Sequence, residues 1–487
     1  MKALIIILNI SICSISLFSQ NKYDYQWVFD QYVLLDFRNN TLKVSKMGHS
    51  SDKGTGSQCT SICDKNGNLM FSTGGCYIMN KNNEIMKNGD SITSKYAYSY
   101  WCPNNESPFM QSTLILPFPD DSLKYIAFNL DVELDRNLLP PEIPLNLFYH
   151  VIDMSKEGGL GAVIENRKIA ISDILSRSGI QAVRHSNGKS WWLIVPKFKS
   201  NCYYIFPVTS RGVETPTQEC IGHKWNEDDD FTQSTFSPDT KMYARIDYFN
   251  GLHVYFFDNI AGHLSQFISI PMSQLDGDFF RGISFSPNSR FLYVTSNFNV
   301  YQYDLKAANI QESVRNVGII DKTMAPAGSS SLFRQRIGPD GRIYIGSPPD
   351  YKYLSVINKP NLLGTACDFK QYSIELPNYT RLSIPNLPYF YIPESNENGT
   401  TTIEEFTNAQ NVLIYSNPVS NQLRVKTLNL YKKYNLSSIM GQIIKTDKIN
   451  SEIFDINVTD IESGIYILSI YDFNNKVVSI NKIVKQD

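Results

Sequence analysis

The chain has 487 residues, with 45 Lys and Arg against 47 Asp and Glu, and 13% of it is aromatic. That length leaves room for about two to four domains of ~100–200 residues each, or for one large repeat domain with an accessory. The near-balance of charge excludes a chain built around a strong basic field for nucleic acid or for an anionic membrane surface.

Residues 1–20, MKALIIILNISICSISLFSQ, carry one Lys, an apolar run and then small residues, which is the pattern of a secretory signal peptide ending near Ser19 or Gln20. Cys13 lies within it and is preceded by Ile12, too large for a lipid-attachment site, so it is expected to leave with the signal. No later window is apolar for 18 residues, so no transmembrane span is expected after signal removal.

From Tyr23 to about Tyr391 the chain reads as short strands separated by turn clusters. Phe236–Asp258, FSPDTKMYARIDYFNGLHVYFFD, sets the pattern: an apolar residue, a Ser-Pro-Asp turn, a strand, a turn at Asn250-Gly251 and a second strand. Phe285–Leu305 and Ile337–Asn358 repeat it, and fainter copies start at Ile62, Leu116 and Val183. Turn markers at Asn66, Asp121, Asn187, Asp239, Asn288 and Asp340 recur at roughly 50–65 residues. A hairpin repeat of that period predicts a β-propeller with one four-stranded blade per repeat. The leading segment QWVFDQYVLLDF and the trailing segment from Asp368 are left over, and they are expected to share or complete a blade. Six or seven blades are thus expected over residues 21–392, seven being preferred. Residues 158–175, GGLGAVIENRKIAISDIL, read as a strand pair.

Residues 393–410 are polar and read as a linker. From 411 to 487 about seven short strands alternate apolar and polar residues, with turns at Asn417-Pro418, Gly441 and Ser463-Gly464, which predicts a small Ig-like β-sandwich. The fold class is all-β throughout.

Four landmarks in this tail occur in order: Tyr415-Ser416-Asn417-Pro418, Met440-Gly441-Gln442, Gly464-Ile465-Tyr466 in the stretch from Ile461, and Lys482-Ile483-Val484-Lys485. The tail resembles the type A C-terminal sorting domain of the type IX secretion system, with Ser416 where that family usually has Pro. The resemblance implies Tyr415, Asn417, Pro418, Gly441, Gln442, Gly464, Tyr466 and Lys485 as sorting-motif positions. It also implies the secretion machinery at the outer membrane as a partner, and a product that is secreted or held at the cell surface. The preceding region resembles the WD-like and YVTN-type propellers of secreted bacterial proteins; Leu292-Tyr293-Val294-Thr295-Ser296-Asn297 nearly spells the second motif. That likeness implies fold rather than chemistry.

Seven Cys follow the signal, and export favours disulfides, with at least one Cys left over. Cys202 and Cys220 are symmetric about Arg211 in a hairpin and are expected to pair. Cys59, Cys63 and Cys76 lack a nearby His or a CxxC spacing, so neither a metal site nor a cofactor is expected. Asp228-Asp229-Asp230 is the densest acidic cluster, but neighbouring carboxylates point in different directions and read as a solvated loop rather than a glycosidase pair. His49, His150, His185, His223, His253 and His263 show no HExxH or GxSxG context; His185 and His223 are the two placed to line a channel. Gly54-Thr55-Gly56 and Gly158-Gly159-Leu160-Gly161 open no helix and so make no phosphate cradle. The function expected is a non-catalytic propeller that binds or adheres to a surface protein or glycan. The alternative is an extracellular propeller hydrolase acting on polysaccharide or peptide.

Overall fold

The structure is a computed structural model. It describes residues 21–487 except 40, 49–52, 54–55, 57, 106, 139–140, 226–231, 248, 250, 271–280, 325–330, 349, 382–383, 391–411, 416–417, 428–430, 439–441, 474–476 and 487. The chain divides into two compact units, Met1–Ser395 and Asn396–Asp487.

The first unit is a β-propeller. Among its described residues, seven sheets of three to five antiparallel strands follow one another along the chain, with a short ribbon, Glu133–Leu134 against Glu142–Ile143, beside them. Their first strands are Gln26–Val28, Thr60–Cys63, Thr113–Pro117, Gln181–Arg184, Gln233–Phe236, Gly282–Phe285 and Gln335–Ile337. Each first strand pairs with the second, and the second with the third, so every sheet is a meander.

The six sequence markers all fall in the turn between first and second strands. Each of these turns holds one residue with positive φ: Gly67, Asp120, Gly188, Thr240, Ser289 and Gly341. Gly meets that demand without strain, while Asp120, Thr240 and Ser289 adopt it in turns closed by local backbone bonds such as Thr240 N to Ser237 O and Ser289 N to Ser286 O. The first sheet obeys the same rule through Tyr32, φ 65°, in a turn closed by Phe29 N donating to Val33 O.

Apolar side chains between successive sheets close the ring. Ile62, Phe71, Leu114, Tyr125, Ala182 and Trp191 join the second, third and fourth sheets. Val183 and Tyr203 meet Tyr243 and Tyr255 between the fourth and fifth. Val254 meets Ile283 and Leu292, and Tyr293 meets Ile343 and Ile357, across the next two interfaces. Trp27, Phe29 and Leu35 pack on Tyr344, Leu354 and Val356, bringing the last sheet against the first. The first and second sheets are stitched by Ser61 Oγ donating to Gln26 O at 2.9 Å and Leu69 N donating to Gln26 Oε1 at 2.8 Å.

Of the two ways the ends were expected to close the ring, sharing a blade or completing one, the second is found: Gln26–Val28, Val33–Asp36 and Lys43–Lys46 form their own sheet, because the tight turn at Asp30–Tyr32 lets the leading segment fold back on itself. The trailing segment supplies Phe369–Arg381, the outermost strand of the seventh sheet, and then Ile384, Leu387 and Phe390 enter the core. Residues 158–175 are not a strand pair but one long strand, Ala162–Ser172, preceded by the glycine turn and paired along Asn146–Asp153. A short helix, Lys95–Tyr100, interrupts the strands; Ser94 caps it by accepting from Ala97 N at 3.3 Å.

The second unit is a β-sandwich. One sheet holds Val412–Tyr415, Gln422–Thr427 and Ile453–Asn457; the other holds Ile443–Lys448, Lys433–Ser438, Gly464–Tyr471 and Val477–Lys485. Leu423, Val425, Ile456, Leu436, Leu468, Ile470 and Ile483 fill the space between them. The alternation of exposed and buried residues along Gln422–Thr427 is the period of a strand with one wet face.

Candidate functional site

A propeller presents two places for a ligand, the central channel and the loops at its mouths. Among the described residues, the trailing segment enters the centre of this channel. Asn386 donates its amide to Thr113 O at 2.9 Å and Ile180 O at 3.1 Å, and its Oδ1 accepts from Gln111 and Gln181. Its backbone N–H donates to Cys59 O, and its carbonyl accepts from Thr60 Oγ1 at 2.7 Å. Glutamines knit what remains: Gln233 Nε2 donates to Gln335 O at 2.7 Å, and Gln111 Nε2 to Ser234 O at 3.0 Å. The void left among Gln111, Gln181, Gln233, Gln335 and Arg336 is about 10 Å³, the size of a single water.

Buried arginines complete this polar centre. Arg336 donates to the carbonyls of Leu387 and Pro388 and lies 5.0 Å from the centre of the Tyr389 ring. Arg334 donates to Thr232 O at 2.8 Å, and burial pulls its pKa down to about 9. Asp24, buried nearby, is pushed up to about 6 by desolvation, with the Arg336 charge opposing. Arg245 lies 3.8 Å over the Trp225 ring and donates to Ser176 Oγ at 2.9 Å. These groups serve as struts holding the ring.

Among the described histidines, one pair meets. His223 stacks on buried His253 at 5.4 Å, with Trp225 tilted against His253. His185 is not in the channel: it sits in the exposed turn of the fourth sheet, stacked on Trp192 at 5.3 Å and accepting from Asn187 N. His263 meets Glu219 at 2.6 Å across the fourth and fifth sheets. His150 is fully buried between Asn129 and Asn166, at 2.7 and 2.8 Å, and desolvation pulls its pKa down to about 4. His49 and Asp228-Asp229-Asp230 lie outside the described residues.

Cys202 and Cys220 are register partners on adjacent strands and are joined as a disulfide. A second bridge, Cys76–Cys102, ties the loop bearing the short helix back to the second sheet; its 26-residue span left no sequence signal beyond the even pairing it makes possible. Cys59, Cys63 and Cys367 are buried thiols, and burial pushes that of Cys63 far up.

In the sandwich, the tail landmarks within the described residues converge on one end. Val419, after exposed Pro418, forms a parallel bridge with Lys485, its N–H donating to Val484 O at 2.9 Å and its carbonyl accepting from Gln486 N. Lys485 is opposite Gly464, and Tyr466 lies opposite Ser438, whose N–H donates to Gln442 O. The Tyr466 hydroxyl donates to Glu462 O at 2.8 Å. Tyr415 ends the first sandwich strand; Asn417 and Gly441 lie outside the described residues.

The ring of meanders and the two-sheet tail define a β-propeller protein with a β-sandwich appendage. Residues 413–486 match the secretion system C-terminal sorting domain family, so the appendage is a sorting tail of the type IX kind and the chain is a secreted propeller protein, exported to the cell surface or beyond. No curated protein matches the chain. Solved structures similar to it include PorZ, a surface component of the type IX secretion system of Porphyromonas gingivalis, at 8% identity over 94% of this chain and 68% of that one, TM-score 0.31. The Dos1 propeller is similar at 11% identity over 66% of this chain and 74% of that one, TM-score 0.33. Sqt1 of Chaetomium thermophilum, bound to the N-terminus of ribosomal protein L10, is similar at 10% identity over 96% of this chain and 98% of that one, TM-score 0.34. At those scores the similarities add nothing to the sheet topology. Among the described residues no helix is long and apolar enough to cross a membrane.

Proposed function

We propose that the chain is a non-catalytic binding or adhesion platform at the cell surface, taking a protein or glycan ligand on the faces of a seven-bladed propeller. In this reading residues 1–20 are a removed signal peptide, 21–392 the propeller, 393–410 the linker and 411–487 the sorting domain. The observation that carries it is the polar plug at the centre of the channel. A propeller enzyme working at its axis needs space there for substrate, whereas here Asn386 and the glutamines leave a void of about 10 Å³. A ring tied at its centre holds its loops rigidly, which favours recognition on the mouths and faces. The test is a glycan-array and surface-protein pull-down screen with the exported chain. Saturable binding without turnover supports the platform. Turnover of a bound polysaccharide or peptide overturns it.

A further inference from the structure

A cavity of about 270 Å³ opens at one mouth of the propeller, between the first turns of the third and fourth sheets. Tyr23, Phe118, Trp191, Arg184, Lys189 and Asp120 are among its walls. Its charges are not matched. Lys189 Nζ lies 2.9 Å from Asp120 Oδ1, and Lys124 Nζ lies 3.0 Å from Asp121 Oδ2, so those four offset one another. Arg184 is left over: among the described residues no carboxylate pairs with it. Its Nη1 donates to Gly188 O at 2.7 Å, and its guanidinium sits 4.3 Å from the centre of the Trp191 ring.

A guanidinium carries five N–H donors in a planar fork, and among the described residues Arg184 makes one hydrogen bond to protein. The Trp191 ring, 4.3 Å from the guanidinium carbon, and the bond to Gly188 O hold the group in place, and burial lowers the Arg184 pKa because water no longer solvates the charge fully. A half-desolvated, pre-oriented cation with free donors gains most from a carboxylate, which meets the fork with two parallel hydrogen bonds. Beside it, the rings of Tyr23 and Phe118 and the faces of Pro117 and Pro119 offer flat apolar surface. Tyr23 is held by Phe390 at 5.4 Å, and Trp191 packs on the same ring at 5.5 Å, so the wall is anchored to the segment that enters the channel. The volume lies near the lower end of ligand pockets, ~300–1,000 Å³, and admits one ring rather than a chain.

We propose that this cavity binds one uronic acid residue of an acidic polysaccharide, its carboxylate on Arg184 and its ring against Tyr23 and Phe118. The inference rests on the platform reading above and names the ligand class. A sugar fits better than a peptide end because Asp120 and Asp121 at the rim accept hydrogen bonds from hydroxyl groups, which a pyranose carries on several carbons.

The test titrates the full exported chain with glucuronate, galacturonate, glucuronamide, glucose and an N-acetyl dipeptide with a free carboxyl end, reading tryptophan fluorescence and equilibrium dialysis. Saturable binding of a uronate, at least about tenfold tighter than of glucuronamide or glucose, is expected. Arg184→Gln is expected to remove that preference, while Lys189→Gln keeps it. Because the amide-versus-acid comparison uses the unaltered chain, it holds even if Arg184→Gln fails to fold. Equal binding of glucuronate and glucuronamide, no saturable uronate binding, or preference for the dipeptide overturns the proposal. A glycan-array signal that Arg184→Gln leaves unchanged removes this site while the platform reading stands.

Discussion

Gln181 donates its side-chain amide to Asn386 Oδ1 at 2.8 Å although 205 residues of chain separate them. Through its remaining bonds the same asparagine reaches the first strands of the second, third and fourth sheets. It closes the ring by tying one side of it to the segment that follows the last sheet. Asn386→Ala strands the carbonyls of Thr113 and Ile180 and the amide of Gln181, while Gln111 Nε2 keeps its bond to Ser234 O. Each buried polar group without a partner costs about 1–3 kcal/mol, so the variant is expected to lose on the order of 4 kcal/mol. Asn386→Asp is expected to be nearly as harmful, since a carboxylate cannot donate to the two carbonyls. Urea unfolding of the propeller checks both, and a loss below about 1 kcal/mol would show that the plug is not a strut.

Gly282 begins the first strand of the sixth sheet where the next blade's backbone comes closest. A Cβ there would collide with the Phe333 carbonyl oxygen and lie 2.7 Å from Thr295 Oγ1. Backbone on one side and a hydrogen-bonded hydroxyl on the other leave nothing to move cheaply, because Thr295 Oγ1 donates to Phe333 O at 2.6 Å. Gly282→Ala is expected to destabilise the propeller by about 3 kcal/mol or more. Gly188→Ala, with open space around it but φ 71°, serves as comparison and is expected to cost only about 1 kcal/mol. Thermal melting of the two variants side by side reads the difference.

The repeat was legible where turn chemistry is loud. Asp239, Asn288 and Asp340 sit in turns whose residues advertise themselves, and all six markers lie between first and second strands. The first sheet has no marker of its own because its turn, Asp30-Gln31-Tyr32, carries no Gly, Pro or Asn, yet Tyr32 takes the same left-handed conformation as Gly67 or Thr240. The plug was illegible for a different reason. Ile384-Pro385-Asn386 has neither period nor motif, and its partners lie at sequence separations of hundreds of residues. The cavity at Arg184 depends on Trp191 and Phe118 arriving from different sheets, which no local pattern records. The tail was legible because its landmarks are short, ordered and close together.

His150 makes stability depend on pH. In the fold, burial holds its pKa down to about 4, whereas the free imidazole titrates near 6.5. Below 6.5 the unfolded chain takes up a proton that the folded chain refuses, so the unfolded state is favoured progressively as pH falls. The stability held above pH 6.5 is therefore lost between there and about pH 4, on the order of 3 kcal/mol in all. His150→Gln keeps a donor and an acceptor between Asn129 and Asn166 and is expected to flatten that part of the curve. Melting temperatures from pH 7 to 4 check it; parallel curves for the two proteins would refute it.

The two disulfides differ in what they constrain. Cys76–Cys102 closes a loop with a sequence separation of 26 that contains the short helix and much irregular chain, while Cys202–Cys220 joins strands already paired by backbone hydrogen bonds. Removing the first by Cys76→Ser with Cys102→Ser is expected to cost about 3 kcal/mol in the loop-entropy account. In the denatured, unreduced chain after loss of residue 13, three thiols are expected to alkylate, at Cys59, Cys63 and Cys367. Peptide mass mapping of the alkylated sites reads the outcome, and label on Cys76 or Cys102 would contradict it.

The sorting tail gives the last prediction. Its C-terminal strand ends against Val419, with Val419 N donating to Val484 O and Gln486 N donating to Val419 O, both at 2.9 Å. Lys485 is buried to 6% exposure although charged, and its ammonium donates to the carbonyl of Gln486 at 2.7 Å. Truncation after Ile483 removes both backbone bonds and the strand partner of Gly464, so the end where the tail landmarks gather comes apart while Leu423, Leu436 and Leu468 keep the sandwich core. In a host with type IX secretion, residues 411–487 fused to a folded reporter are expected to carry it out of the cell, and the truncated fusion is expected to accumulate in the periplasm. Cell fractionation with a parallel melt of the purified tails separates lost recognition from lost folding. Full export of the truncated fusion would mean that this end of the sandwich is not what the machinery reads.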